Sequence, residues 1–165
     1  MTTVRSGITA ADERLIEALY VPLRRFAAIV GNWADDPDDL LHDAWLRVLE
    51  RRSLSDLEDP AAYLKRTMVN LAANRRRQTG SRRWLRGRWN VQGPVATVDG
   101  YPSDLADLAT LPTDQRATLY LAEVEGFSYD EVGQMMGCTA SAARMRARRA
   151  RRHLRSVLDG EVQRG

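Results

Sequence analysis

The side chains best placed to do chemistry in this chain are arginines, and their chemistry is the holding of anions. Between Ala140 and Leu158 the sequence carries Arg144, Arg146, Arg148, Arg149, Arg151, Arg152 and Arg155. Threaded through them, Ala143, Ala147, Ala150, Leu154 and Val157 recur at spacings of four, three, four and three, the apolar stripe of a helix. Just upstream, Ser128 and Glu131 form a capping box for a short helix ending near Met136, and Gly137-Cys138-Thr139 makes the turn. A short capped helix, a glycine turn and an arginine-rich helix make the helix-turn-helix pattern. In it the first residues of the second helix reach base edges and the later arginines grip phosphates. The bland alternative, a solvated basic helix, leaves many arginines with few acids to pair with.

A second set is spaced for reading bases. Arg66, Asn70, Asn74 and Arg77 follow one another at four, four and three, one face of a helix. Asparagine is a weak helix former, and amides and guanidinium groups are the usual readers of base edges. An ordinary solvent face is the competing reading. Further on, Trp84 and Trp89 lie among Arg82, Arg83, Arg86 and Arg88. That mixture offers stacking surfaces and cations for a single strand, or two tryptophans that tuck onto a neighbouring domain.

The carboxylates Asp35, Asp36, Asp38, Asp39 and Asp43 raise the thought of a metal-dependent nuclease. The positive end of a helix explains the first four, and no second acidic cluster or partner histidine supports a catalytic or metal site. Asp39 and Asp43 share a face that suits a basic partner. His42 reads as a surface side chain. Cys138, the sole cysteine, excludes an internal disulfide and a cysteine-based metal site; it reads as a small apolar group. No catalytic residue and no cofactor are expected.

The elements that must position these groups are helices. Aromatics are few, Ala, Leu and Arg abundant, and no Val/Ile/Thr-rich run stands out. A first helix is predicted from Thr9, with its Thr9/Asp12 start signal, to Gly31, kinked at Pro22. A second starts at Asp36-Pro37 and runs out near Arg51-Arg52; a third opens at Asp59-Pro60. Residues 78–102 hold Gly80, Gly87, Gly93, Pro94, Gly100 and Pro102 and read as a flexible linker. A short helix over about 104–109, one from Leu111-Pro112 to Gly126 and the helix-turn-helix complete the chain. The expectation is an all-α protein: two small helical domains, 1–77 and 103–165, joined by the linker 78–102.

Charge follows the same division. The whole chain is +3, but residues 1–60 and 93–137 are acidic, while 61–92 and 138–165 are basic. Two concentrated basic segments suggest two contacts with a polyanion such as nucleic acid. The N-terminus lacks the apolar core of a signal peptide, and no apolar run approaches a bilayer span. A cytoplasmic protein without membrane insertion is the expectation.

The organisation resembles the extracytoplasmic-function (ECF) sigma factors of bacterial RNA polymerase. DDPDDLLHDAWLRVLERR resembles the family's region 2 helix A-E-D-L-V-Q-E-x-F-L-R-x-W. DPAAYLKRTMVNLAANRRR resembles P-x-x-W-L-x-x-x-x-x-N-x-x-x-D-x-x-R-R. The run from Leu108 to Leu154 resembles region 4, with L-P-x-x-x-R, G-x-S-x-x-E-I-A-x-x-L-G-I-S-x-G-T-V-x-S-R and R-A-R-x-x-L. The three motifs stand in the family's order and spacing.

The resemblance implies roles. Asp39, Leu40, His42, Asp43 and Arg47 match positions that grip the clamp helices of the polymerase β′ subunit. Tyr63, Lys65, Arg66, Asn70, Asn74 and Arg77 match the helix that melts and reads the −10 element, and about 53–58 the loop that captures a flipped base. Thr139, Ser141, Arg144, Arg146, Arg148 and Arg149 match the −35 recognition helix and its cap. Core RNA polymerase (β′ clamp helices and β flap) and promoter DNA are the implied partners, with an anti-sigma factor as a further one and no small-molecule substrate.

The chain departs from the pattern at His42 for Gln, Asn74 for Asp, Gly133 for Ala, Cys138 for Ile or Val, and alanines at 142, 143 and 147. The glycine is expected to cost about 1 kcal/mol, and the alanines to leave the helix-turn-helix thinly packed. The alternative reading is a stand-alone helix-turn-helix regulator, with residues 1–77 as a dimerisation or ligand domain.

Overall fold

A computed structural model describes residues 8–32, 35–85 and 107–162. Among these residues the chain forms six α-helices and two short 3-10 turns. α1 spans Ala10–Val30, α2 Pro37–Leu49, α3 Pro60–Leu85, α4 Thr113–Glu123, α5 Tyr129–Met136 and α6 Ala140–Val162. The 3-10 turns are Leu54–Asp56 and Asp107–Thr110.

Local signals in the sequence account for most boundaries. Thr9 caps α1 in a reciprocal box with Asp12. Asp36 accepts from the Asp38 N–H at the start of α2, with Pro37 in the first turn. Asp59 accepts from the Ala62 N–H at the start of α3. α1 is continuous through Pro22.

One boundary differs. α3 continues to Leu85, taking in Gly80 and Trp84, where the linker was predicted to begin at 78. A single helical glycine costs only about 1 kcal/mol, and Gln78, Arg82, Arg83 and Leu85 around it are good helix formers. Trp89 and the rest of 86–106 lie outside the described residues.

α1, α2 and α3 pack on one another; α4, α5 and α6 form the second group. The two groups also pack together, α1 and α3 against α4 and α3 against α5. One apolar cluster therefore runs through both. Leu23, Phe26, Val30, Leu41, Leu64 and Met68 from the first group join Ala117, Tyr120, Leu121 and Val132 from the second. The Phe26 and Tyr120 rings meet with centroids 6.0 Å apart. Each fully buried Leu or Phe contributes roughly 1.5–3 kcal/mol, so a handful crossing the boundary suffices to hold the groups together.

The alanine stripe of α6 is buried as its spacing predicts. Ala143, Ala147 and Ala150 are each 0% exposed, and their small size lets α6 lie close on α4 and α5. No described helix is long and apolar enough to cross a membrane.

Candidate nucleic-acid interface

The helix-turn-helix is built from α5, the turn and α6. Ser128 and Glu131 complete the capping box of α5. That bond from the Ser128 backbone holds the Glu131 carboxyl below its ordinary value. Gly137 takes φ +66 in the left-handed region, which a residue with a Cβ adopts only at a cost. Thr139 accepts from the Ala142 N–H at 3.1 Å, capping α6.

Gly133 corrects a sequence expectation. A Cβ at this position would lie 2.7 Å from the Cys138 carbonyl oxygen and 3.1 Å from the Ala140 nitrogen. The turn backbone crosses α5 at the glycine, so the missing methyl is what allows the close approach, and Gly133 is not simply a weak helix former here.

α6 sorts its arginines into two kinds. Arg146 is half-buried, 3.3 Å from Asp114, and donates to the Cys138 thiol at 3.4 Å. Arg151 pairs with Glu123 and donates to the Tyr129 hydroxyl at 2.9 Å; the bond to Glu123 raises its pKa. These two tie α6 to α4 and α5. Arg144, Arg148 and Arg149 are exposed, with Ser141 on the same outward side. Arg144 rests over the Tyr129 ring at 5.5 Å. Of the four arginines expected at the −35 element, Arg146 is the one turned inward, because its partner Asp114 sits on the neighbouring helix.

The row on α3 divides as well. Tyr63, Arg66, Asn70, Asn74 and Arg77 are exposed. Tyr63, Asn70 and Asn74 line a polar cleft of about 210 Å³ with Arg47, Arg51 and Thr67. The Arg52 guanidinium lies over the Tyr63 ring at 5.7 Å, and Arg77 donates to the Asn74 amide oxygen. Arg66 leans the other way, against the Gly137 turn: a Cβ on Gly137 would come within 2.5 Å of its Nη2.

Lys65 is the outlier. It is 7% exposed, pairs with Glu125 and lies over the Phe26 and Phe127 rings at 5.7 and 5.3 Å. The reason is helical phase. Lys65 follows the core residue Leu64 and faces the second helical group, not the exposed row.

The 3-10 turn before α3 is held from a distance by Asp12, which is 1% exposed. Its carboxylate accepts from Ser53 Oγ at 2.5 Å, the Leu54 N–H at 2.8 Å and the Ser55 N–H at 3.3 Å, besides its bonds to Thr9. Burial pushes the Asp12 carboxyl up, but the bonds from Ser53 and Thr9 outweigh it and hold it well below the ordinary range. In the sequence, Asp12 signals only a helix cap. Its long-range partners, more than forty residues away in sequence, have no local signal.

On α2, Asp39, His42, Asp43 and Arg47 are exposed on one face. Leu40 is not among them: at 2% exposure its side chain belongs to the core, because it follows the opposite helical phase with Leu41 and Ala44. The residue missed is Leu46, 60% exposed, which lies in the same row by i, i+3 and i+4 spacing. Asp43 pairs with Arg75 of α3, and His42 packs on Trp45 with ring centroids 5.6 Å apart. Behind this face Asp38 accepts from the Tyr20 hydroxyl at 2.9 Å and Arg24 Nε at 3.1 Å, fixing α1 to α2.

Known proteins resemble both halves. Residues 15–82 match the model of Sigma-70 region 2 and residues 108–154 that of Sigma-70, region 4. The ECF RNA polymerase sigma factor EcfG of Rhodopseudomonas palustris is 30% identical, over 87% of this chain and 82% of its own. The ECF RNA polymerase sigma factor SigM of Mycobacterium tuberculosis is 27% identical, over 93% and 80%. CarQ of Myxococcus xanthus, an RNA polymerase sigma factor, is 28% identical over 99% and 97%. In fold, the chain is similar to the sigma factor RpoE of Bartonella quintana, solved with the anti-sigma factor NepR, at a TM-score of 0.72 and 21% identity, over 92% and 98%.

Proposed function

Since the chain belongs to the ECF RNA polymerase sigma factors, which bind core polymerase and direct it to promoters, we propose how its three exposed faces divide that work. The outer face of α2, with Asp39, His42, Asp43, Leu46 and Arg47, docks on the β′ clamp helices. The carboxylates meet basic groups there, and Leu46 supplies an apolar anchor of the kind that fills a pocket at an interface centre. The cleft of Tyr63, Asn70 and Asn74 receives unstacked bases of the −10 element, where each stacked base is worth roughly 1–3 kcal/mol. The outer face of α6 lies in the −35 major groove, with Arg144, Arg148 and Arg149 toward bases and phosphates. α1–α3 act as region 2, α4–α6 as region 4 toward the β flap, and residues 86–106 connect them.

The observation that carries this reading is the position of the polar cleft. Arg47 lies both on the α2 face and in the wall of the cleft, so a polymerase seated on α2 presents melted DNA directly to α3. Arg66 stays exposed beside the Gly137 turn, but Lys65, matched to the same −10 helix, is buried against the second helical group, so the groups must separate for it to reach DNA. An anti-sigma factor, such as the one that holds the Bartonella relative, is a partner suited to keeping them together.

The test is run-off transcription with purified core polymerase on a pool of randomised promoters. Enrichment of a paired −35/−10 motif at fixed spacing supports the reading. A palindromic duplex motif enriched without polymerase would support the stand-alone regulator.

A further inference from the structure

On α6, Met145 stands among cations. It is 45% exposed, with Arg144 beside it and Ser141, Arg148, Arg149 and Arg152 on the same outward side. Helical phase makes this position definite. At 3.6 residues per turn Met145 is rotated about 200° from both Ala143 and Ala147, the fully buried residues of the inner face. It therefore stands at the crest of the outer face, in the second turn after the Thr139 cap, where a recognition helix presents side chains to base edges. α6 packs against α4, α5 and the 3-10 turn at Asp107–Thr110, on the side away from this crest. A long apolar side chain ringed by arginines gains nothing in the free protein. In the V-x-S-R run of the region 4 pattern, Met145 occupies the place of serine.

We propose that Met145 is a specificity-determining residue that contacts a thymine 5-methyl group in the −35 major groove. The inference rests on the assignment of α6 as the −35 reader. The charge of the surrounding face commits this surface to DNA: three arginines without partners among the described residues, Arg148, Arg149 and Arg152, would repel a basic protein surface and attract phosphate. Between two such anchors the groove floor offers one apolar group, the thymine methyl. Methionine, unbranched and polarisable, adapts to it. The short, polar serine of the region 4 pattern offers far less apolar surface to a methyl group, so the preferred base at this step departs from the one a serine would select.

The experiment uses the full chain bound to core polymerase. Promoters with a randomised −35 element are selected, and each thymine of the selected element is then replaced by deoxyuridine, which removes only the methyl. The expected result is one position where the replacement weakens wild-type binding about 4-fold, the effect of burying one methyl group. Met145→Ala and Met145→Ser should lose that sensitivity. Arg148→Ala should weaken binding on all sequences and keep it. Indifference of the wild type to every methyl, or sensitivity retained in Met145→Ala, overturns the proposal. Loss of binding to a protein partner with DNA preference unchanged also overturns it. If no −35 preference emerges at all, or Arg148→Ala binds as wild type, the assignment of α6 itself fails, a distinct outcome.

Discussion

Lys65 of α3 and Glu125, in the loop between α4 and α5, form an ion pair across the two helical groups, with side chains only 9% and 19% exposed. The two aromatic rings that flank the ammonium, Phe26 and Phe127, also come from opposite groups. The contact is a clasp, and it covers a lysine that the family resemblance assigns to promoter melting. Removing one member of a mostly buried pair leaves the other charge uncompensated, at a cost on the order of 3 kcal/mol.

Glu125→Gln is therefore expected to loosen the contact between the groups without unfolding either. Small-angle scattering should show a larger radius of gyration, and single-stranded −10 DNA should bind several-fold more tightly. An unchanged scattering profile and DNA affinity would show that the pair does not hold the groups together.

Arg116 gives the same contact a weakness. It is 4% exposed, and its Nε and Nη1 have no hydrogen-bond partner among the described residues. Its one long bond, 3.4 Å, goes from Nη2 to the Val30 carbonyl. Desolvation, with Arg76 adding repulsion, pushes its pKa down to about 10. A buried cation without a carboxylate is costly. Arg116→Leu should raise the thermal midpoint of the free chain by a few degrees and reduce promoter binding by favouring the closed arrangement. A midpoint lowered by several degrees would make Arg116 a stabilising residue.

Asp12 sets an acid limit. Its carboxyl is held below the ordinary value in the folded chain. The stability it contributes is complete above its unfolded pKa of about 4 and is lost as pH falls through the folded value. Asp12→Asn should cost about 2 kcal/mol at pH 7, since it removes the charge that strengthens these bonds and puts an amide donor in place of one of the two acceptor oxygens, and should flatten the fall in stability below pH 4. Denaturant melts at pH 7 and pH 3 check both. Because Asp12 holds the turn before α3, promoter opening should slow in this variant more than polymerase binding. Equal slopes against pH in wild type and variant would contradict this role.

Gly133→Ala tests the packing of the helix-turn-helix. Helix propensity alone forecasts a gain of about 1 kcal/mol. The 2.7 Å approach of a Cβ to the Cys138 carbonyl forecasts a net loss of about 1–3 kcal/mol, with weaker −35 duplex binding. A thermal melt distinguishes the two by sign.

The sequence was informative where a signal is local. Caps at Thr9, Asp36 and Ser128 fixed helix starts to within a residue, and the alanine stripe identified the inner face of α6. It misled where a neighbour distant in sequence decides. Lys65 and Arg146 look like free cations until Glu125 and Asp114 fold against them. Leu40, which the resemblance matches to the polymerase grip, is buried by the packing of α1 and α3 around α2. Gly133 looks like a flaw until the turn crosses it. Nor does periodicity show that two helical groups share one core, because a helix that buries two faces has no single stripe.

The decisive experiment is co-elution with bacterial core RNA polymerase on a sizing column, using the wild type and an Asp39→Ala/Asp43→Ala variant. Asp43 makes one exposed pair with Arg75, worth little to stability, so the variant should keep its far-UV circular dichroism. The expected result is one-to-one co-elution of the wild type and at least a tenfold weaker complex for the variant. Equal binding by the two proteins would contradict the assignment of the α2 face as the polymerase contact.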